Sequence, residues 1–435
     1  MGRLGSPARA WWRVLTGSAS TAAVALGLLL CLCALLAVVG PRAAEQLRTN
    51  AFRQLIATSP ATDKTVMGTV SDSTLGVGQP LGLDPGLVEV TKNQLHRNLR
   101  SLPLSPAVAD WSSLTTPFLG VTGYGPAAMA KARQPPQLEL SYRDALARNV
   151  RVIAGALPAG KPGGGSTAIL QAAVTEATAR RFGVKVGSRL PLPGTTMVLA
   201  VTGIVQPRNP AAPFWAVDPI VTTPALEHPL TTPYWIGGAF IAAGAVRTLE
   251  SQVNAGQVQV TWLFPLAMGG LTAEQATQLQ STLTGALATA GRITVSGGAG
   301  GAPIPVPITL SSSTSQLIDG FETEAAAVSS VLNLLSVSLS VLAAVVVLLG
   351  GWLLAEQRRQ DFAVLRARGA SRQQLARAVL ISSAMTALPG AVAGAAAAVA
   401  ATPASPVPLS WWLAGLVVLA ALAGPVLVTV RTHGG

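Results

Sequence analysis

The chain has 435 residues, half of them apolar and only 11% charged. Soluble globular domains carry about 25% charged residues, so a large share of this chain avoids water. The net charge of +12 does not read as a nucleic-acid footprint: only five of the 30 basic residues are Lys, no basic run is interleaved with aromatics, and the Arg residues gather beside apolar runs.

The N-terminal tail, residues 1–16, holds Arg3, Arg9 and Arg13. Residues 17–39 then run for 23 positions without a charge, against the roughly 20 a spanning helix needs. Cys31 and Cys33 both fall in this run and read as small membrane-embedded hydrophobes, not as a disulfide framework. Leu30 and Leu32 occupy the positions where a lipoprotein site requires a small residue. The apolar stretch is longer than the ~7–15 residues of a signal-peptide core, and no small-x-small site follows, so the segment reads as a retained span.

Residues 40–324 form the next segment, large enough for a sizeable core. It opens on the amphipathic stretch Ala44–Ala57, with Leu47, Ala51 and Leu55 at helical spacing, and closes on Ser315–Ser330, where Leu317, Phe321 and Val328 share a face. Each predicts a helical stalk continuous with a span. Between them, Asn149–Ala154 and Met197–Val205 predict strands, Ala168–Phe182 and Thr272–Ala290 predict helices, and Thr272 with Glu274 is a cap signal for the last. His228–Val246 is uncharged but broken by Pro229 and Pro233, so it predicts a buried strand or helix, not a span. Ile293–Ile318, rich in Gly, Pro and Ser, predicts loop and strand, whereas Thr58–Pro136 is too weakly periodic to predict any element. The whole segment reads as an α+β domain.

Candidate chemistry in this segment is sparse. Gly155–Lys161 has most of a phosphate-binding loop, but Pro162 stands where the Mg²⁺-holding Ser or Thr belongs, so it reads as a turn. His96, His228 and His433 lack a ligand partner at helical spacing, which leaves a metal site unsupported. Glu322 and Glu324 read as a solvated helix face.

Residues 325–355 supply a second uncharged run of 31. The loop 356–377 follows with six Arg against two acids, and residues 378–430 are again uncharged. The Pro-rich stretch 402–408 splits that last run into spans at 378–401 and 409–430, leaving the tail 431–435 with Arg431. By the excess of Arg on cytoplasmic loops, both termini and the loop 356–377 lie inside and residues 41–324 outside. The fold class is therefore an α-helical membrane protein of four transmembrane helices with a large α+β extracytoplasmic domain between the first and second, placed in the cytoplasmic membrane. Gly390 and Gly394 in the third span, and the Ser residues of the second, mark helix-packing faces.

The loop carries the most specific pattern. Glu356-Gln-Arg358-Arg359-Gln-Asp361-Phe362-Ala-Val-Leu365-Arg366-Ala-Arg368-Gly369-Ala370-Ser371 resembles the cytoplasmic loop of FtsX-like permeases: a basic pair, an acid, then Leu-Arg-Ala-x-Gly-Ala. It reads as a short helix with Phe362 and Leu365 as a docking stripe and Gly369 as its C-cap. In the outer segment, Ala173–Leu190, ending Gly183-Val-Lys-Val-Gly187-Ser188, and Val201-Thr-Gly203-Ile-Val205 resemble elements of the MacB-type periplasmic core domain. Asp361 stands where Glu is usual, Ser188 where Asp is usual, and Ser382-Ser383 where many relatives carry a Glu.

The resemblance implies the membrane subunit of an ABC transporter. On that reading the chain has no ATPase of its own and binds no cofactor, ATP is bound by a separate nucleotide-binding partner docked at the loop, and motion passes to the outer domain for export or extraction of a lipid, lipoprotein, peptide or hydrophobic compound. The composition fits a high-GC, actinobacterial source. Relatives with a second set of four spans imply that a chain of this length pairs as a homodimer or with a second permease half, within the lipid bilayer and without nucleic acid. Two other readings stand beside it: an FtsX-like transmitter that controls a cell-wall hydrolase without transport, and a membrane-tethered extracytoplasmic enzyme, for which the sequence offers no clustered catalytic set.

Overall fold

The computed structural model describes residues 20–71, 85–160, 167–228, 232–253, 258–296, 303–357, 372–401, 411–412, 415 and 418–419. The chain divides into two compact units: Met1–Phe52 with Phe321–Gly435, and Arg53–Gly320.

Three long helices make up most of the described part of the first unit. Helix α1 runs unbroken over Ser20–Thr58. It therefore joins the first apolar run and the amphipathic stretch after it in one element. Pro41 lies inside it, where the missing N–H leaves one carbonyl of the preceding turn without its helical donor. The other two are α8 and α9, whose ranges follow. By length and composition two described segments can cross a membrane, Gly27–Thr58 and Thr314–Gly350, and Leu388–Ala401 is a shorter apolar helix.

The second unit is built on a large mixed sheet. Its elements in chain order are β1 (Thr65–Ser71), α2 (Pro85–Asn98), β2 (Trp111–Thr115), β3 (Leu119–Gly120), β4 (Gln137–Arg143), α3 (Leu146–Asn149), β5 (Val150–Gly155), β6 (Ala168–Thr175), α4 (Glu176–Phe182), β7 (Arg189–Pro191) and β8 (Met197–Pro207). Then follow α5 (Pro213–Ala216), β9 (Ala225–Glu227), β10 (Tyr234–Ile241), α6 (Val246–Gln252), β11 (Gln259–Pro265), α7 (Ala273–Ala290), β12 (Arg292–Ser296), β13 (Pro303–Pro307) and β14 (Thr309–Ser311). Helix α8 (Thr314–Gln357) leaves this unit for the first, where α9 (Arg372–Ala401) follows. The main path of the sheet is β14-β1-β11-β2-β4-β10-β6-β8-β5, with β3, β7 and β9 attached at its sides. Strands β12 and β13 form a separate hairpin.

Strand β8 shows how the pattern selects the fold. Its side chains alternate between buried and half-buried along the strand, the period-two signature of a strand with one face on the core. Strand β6 corrects the helix predicted over Ala168–Phe182. Residues Ala168–Thr175 pair in parallel with β8, and the helix starts only at Glu176. Ala-rich sequence favours helix locally, but Leu170, Ala172, Ala173 and Val174 are fully buried, and a parallel strand covered on both faces reads as a continuous apolar run. Thr175 then caps α4, its hydroxyl accepting from Thr178 N–H at 3.4 Å.

Helix α7 begins where its cap signal predicts, with a different partner. Thr272 Oγ1 accepts from Gln275 N–H at 3.2 Å, and Gln275 Oε1 accepts from Thr272 N–H at 3.0 Å. The reciprocal pair is a capping box, so Gln275 and not Glu274 completes it. The stretch His228–Val246 contains the buried strand β10.

Two glycines shape the turn after α4. Gly183 and Gly187 have φ of +65° and +90°, conformations that glycine adopts at no steric cost. A Cβ on Gly183 would lie 2.8 Å from Gly125 Cα. Ser188 supplies an acceptor in the turn: its hydroxyl takes the Lys185 N–H at 2.9 Å.

Candidate functional site: packed apolar helices and a buried charge cluster

In the first unit, α1 is the element on which the others meet. Leu30, Cys33 and Ala37 pack with Val347 of α8, and Phe52 meets Phe321 of α8 edge to face at 5.2 Å. Low numbers on one helix face high numbers on the other, so α1 and α8 are antiparallel. Helix α9 packs in the opposite sense. A Cβ added to Gly390 would press into the Gly27 carbonyl, and one added to Gly394 into the Cys31 carbonyl. Four residues on one helix match four on the other, so α1 and α9 run parallel with their backbones in contact. This is the close approach that small residues at i and i+4 permit between helices in lipid.

Near Pro41, a cleft between α1 and α8 is lined by Cys33, Leu36, Ala37, Gly40, Leu339 and Ala343. Arg42, almost fully buried, lies over the Trp411 ring at 5.4 Å. The loop residues Arg358, Arg359, Asp361, Phe362, Leu365, Arg366, Arg368, Gly369 and Ala370 lie outside the described residues.

Residues 333–430 match the FtsX-like permease C-terminal family. No curated protein matches the chain. The FtsX-like segment takes in most of the apolar part of α8, all of α9 and the loop between them. It supports a membrane permease-type role for the chain, in a family that is generally non-enzymatic and generally works with an ATPase partner in ABC-type systems.

The second unit holds a cluster of charge that sequence reasoning missed. Arg143, at the end of β4, is 1% exposed in its side chain and donates to Asp218 Oδ2 at 2.6 Å and to the Phe214 carbonyl at 2.8 Å. Its guanidinium lies 5.3 to 5.8 Å from the ring centres of Trp111, Phe214 and Phe240, an arrangement that stabilises a cation over aromatic faces. Glu139, four residues earlier on β4 and so on the same face of the strand, sits beside the pair. Burial, then the negative charge and hydrogen bond of Asp218, push its carboxyl up to about 8, while Arg143 pulls it down. At neutral pH Glu139 therefore keeps its proton beside the Arg143–Asp218 ion pair.

The i, i+4 spacing of Glu139 and Arg143 is visible in the sequence, but Asp218 is 75 residues from Arg143 and nothing local signals it. A second polar group links α2 to the sheet. Lys92 Nζ contacts Asp144 at 2.5 Å and Glu89 at 2.7 Å. Burial alone would lower the Lys92 pKa, but the hydrogen bonds it donates to the two carboxylates raise it above the ordinary value. His96 pairs with Asp110. Among the described residues no three His, Cys, Asp or Glu side chains converge on a metal-sized site.

Proposed function

We propose that the chain is the membrane subunit of an ABC-type export or extraction system, lacking its own ATPase and coupled to a separate one. The match of the FtsX-like family to residues 333–430 carries this reading. The parallel packing of α1 on α9 and the antiparallel packing of α1 on α8 support it, because spans that alternate in direction require it.

On this reading there are four spans, both termini are cytoplasmic, and the loop 356–377 is the docking element for the ATPase. Phe362 and Leu365 seat in the partner while Arg358, Arg359, Arg366 and Arg368 meet its acidic residues. Motion of the ATPase then passes along α8 and α1, each of which runs from an apolar segment into the second unit without a break. Helical continuity suits the task, since a helix transmits displacement along its axis through its own hydrogen bonds. The transported compound is apolar in class, a lipid, lipoprotein, peptide or hydrophobic drug, and the functional assembly contains two permease halves.

Reconstitution with the cognate ATPase tests the proposal. Deleting Phe362–Arg368 abolishes stimulation of ATP hydrolysis by the membrane subunit while leaving insertion and folding intact. Stimulation equal to that of the intact chain would remove the loop from this role.

A further inference from the structure

Strand β5 ends the large sheet. Among the described residues it pairs with β8 alone, and after Val150 every one of its residues is exposed. The carbonyl of Asn149 accepts from Arg208 N–H at 2.9 Å, which makes that position a hydrogen-bonded pair. By the alternation of antiparallel ladders, Arg151 also faces β8, and Val152 turns its N–H and C=O to the open side. Val152, Ile153 and the nearby Val186 are 41 to 46% exposed. A β-branched edge with apolar side chains and free backbone groups is a template for another strand. The bulge between Val152 and Ala154 confines pairing to a short stretch, which favours one short added strand over open-ended sheet growth.

Charge identifies the class of strand. Residues 145–208 hold eight basic residues and one acid, Glu176, whereas the rest of Arg53–Gly320 holds ten basic and twelve acidic residues. The basic excess of the second unit therefore falls in the stretch of sequence that contains β5. Arg148, Arg151, Lys185 and Arg208 are exposed there. Two copies of the chain paired through β5 would bring two strongly positive stretches together, a repulsive arrangement. We propose that the free edge of β5 is a docking site for an acidic, extended segment of a partner protein, which adds a strand to the sheet beside Arg151–Ile153. The inference stands apart from the ATPase coupling proposed above.

The test uses the full chain in nanodiscs of neutral lipid and a fluorescent peptide alternating valine with glutamate. Comparison probes replace glutamate by lysine, or N-methylate alternate amides of the acidic peptide. The acidic peptide binds, and both comparison peptides bind at least about tenfold more weakly. Val152→Pro removes an N–H that faces outward and weakens binding by about the same factor. Should V152P lower the unfolding temperature, the exposed pair Arg151→Glu with Lys185→Glu carries the test and weakens binding likewise. Absence of binding by the acidic peptide overturns the proposal. So does equal binding of the N-methylated peptide, which would mean a charged patch without strand addition, or cross-linking of β5 to β5 between two chains, which would make the occupant a second copy.

Discussion

Replacing Glu139 with Gln isolates the proton held in the buried cluster. In the folded chain Glu139 titrates at about 8, against an ordinary value of 4.5. The folded state therefore binds this proton more tightly than the unfolded state does. The stability that the proton contributes is complete below about pH 4.5 and is lost as pH rises through about 8. A displacement of this size, at ~1.4 kcal/mol per pH unit, amounts to several kcal/mol, reduced by whatever rearrangement admits water once Glu139 ionises. Gln keeps a neutral hydrogen-bonding group beside Asp218 at every pH. Thermal unfolding of the full chain in nanodiscs, followed from pH 5 to 9 by hydrogen exchange of β4 and β10, reads the effect. The native chain loses protection in these strands toward pH 9, and E139Q holds it. Equal pH dependence in the two proteins would refute the reasoning, since it would place the titration elsewhere.

Three further outcomes follow from the packing. Arg143→Met leaves Asp218 in the core without its cation and destabilises the second unit by about 3–5 kcal/mol; adding Asp218→Asn restores part of this, as a double-mutant cycle by chemical unfolding measures. Gly394→Leu forces the α1 and α9 backbones apart and lowers the stability of the detergent-solubilised first unit by about 1–3 kcal/mol, with Gly394→Ala intermediate. Thr272→Ala breaks the capping box and costs α7 ~1 kcal/mol, seen as faster exchange of the Gln275 amide with little change elsewhere.

Much of the architecture is local in origin and was legible in the chain itself. Long uncharged runs identify α1, α8 and α9 because a helix in an apolar environment must satisfy its own backbone. The Thr272 cap is readable because its hydrogen bonds close within one turn, although the acceptor partner was Gln275 at the third helical position. The loop Glu356–Arg377 is legible only as a pattern of residues, through its match to a family. The neighbours of Gly390 and Gly394, the Gly27 and Cys31 backbone, lie more than 360 residues away in the chain and are given by the structure alone.

Tertiary structure decided the rest. Ala168–Thr175 has the composition of a helix and became a strand, because burial between β8 and β10 outweighs a propensity of a few tenths of a kcal/mol per residue. In the stretch 58–136, too weakly patterned to predict, the first strand pairs far along the chain: β1 lies beside β11, almost 200 residues on. The Arg143–Asp218 pair was invisible for the same reason. Periodicity and capping report contacts within a few residues, so the sequence by itself determined a membrane protein with a large α+β domain. Which charges that domain buries, and which strand it leaves open, depend on long-range pairing that only the folded chain displays.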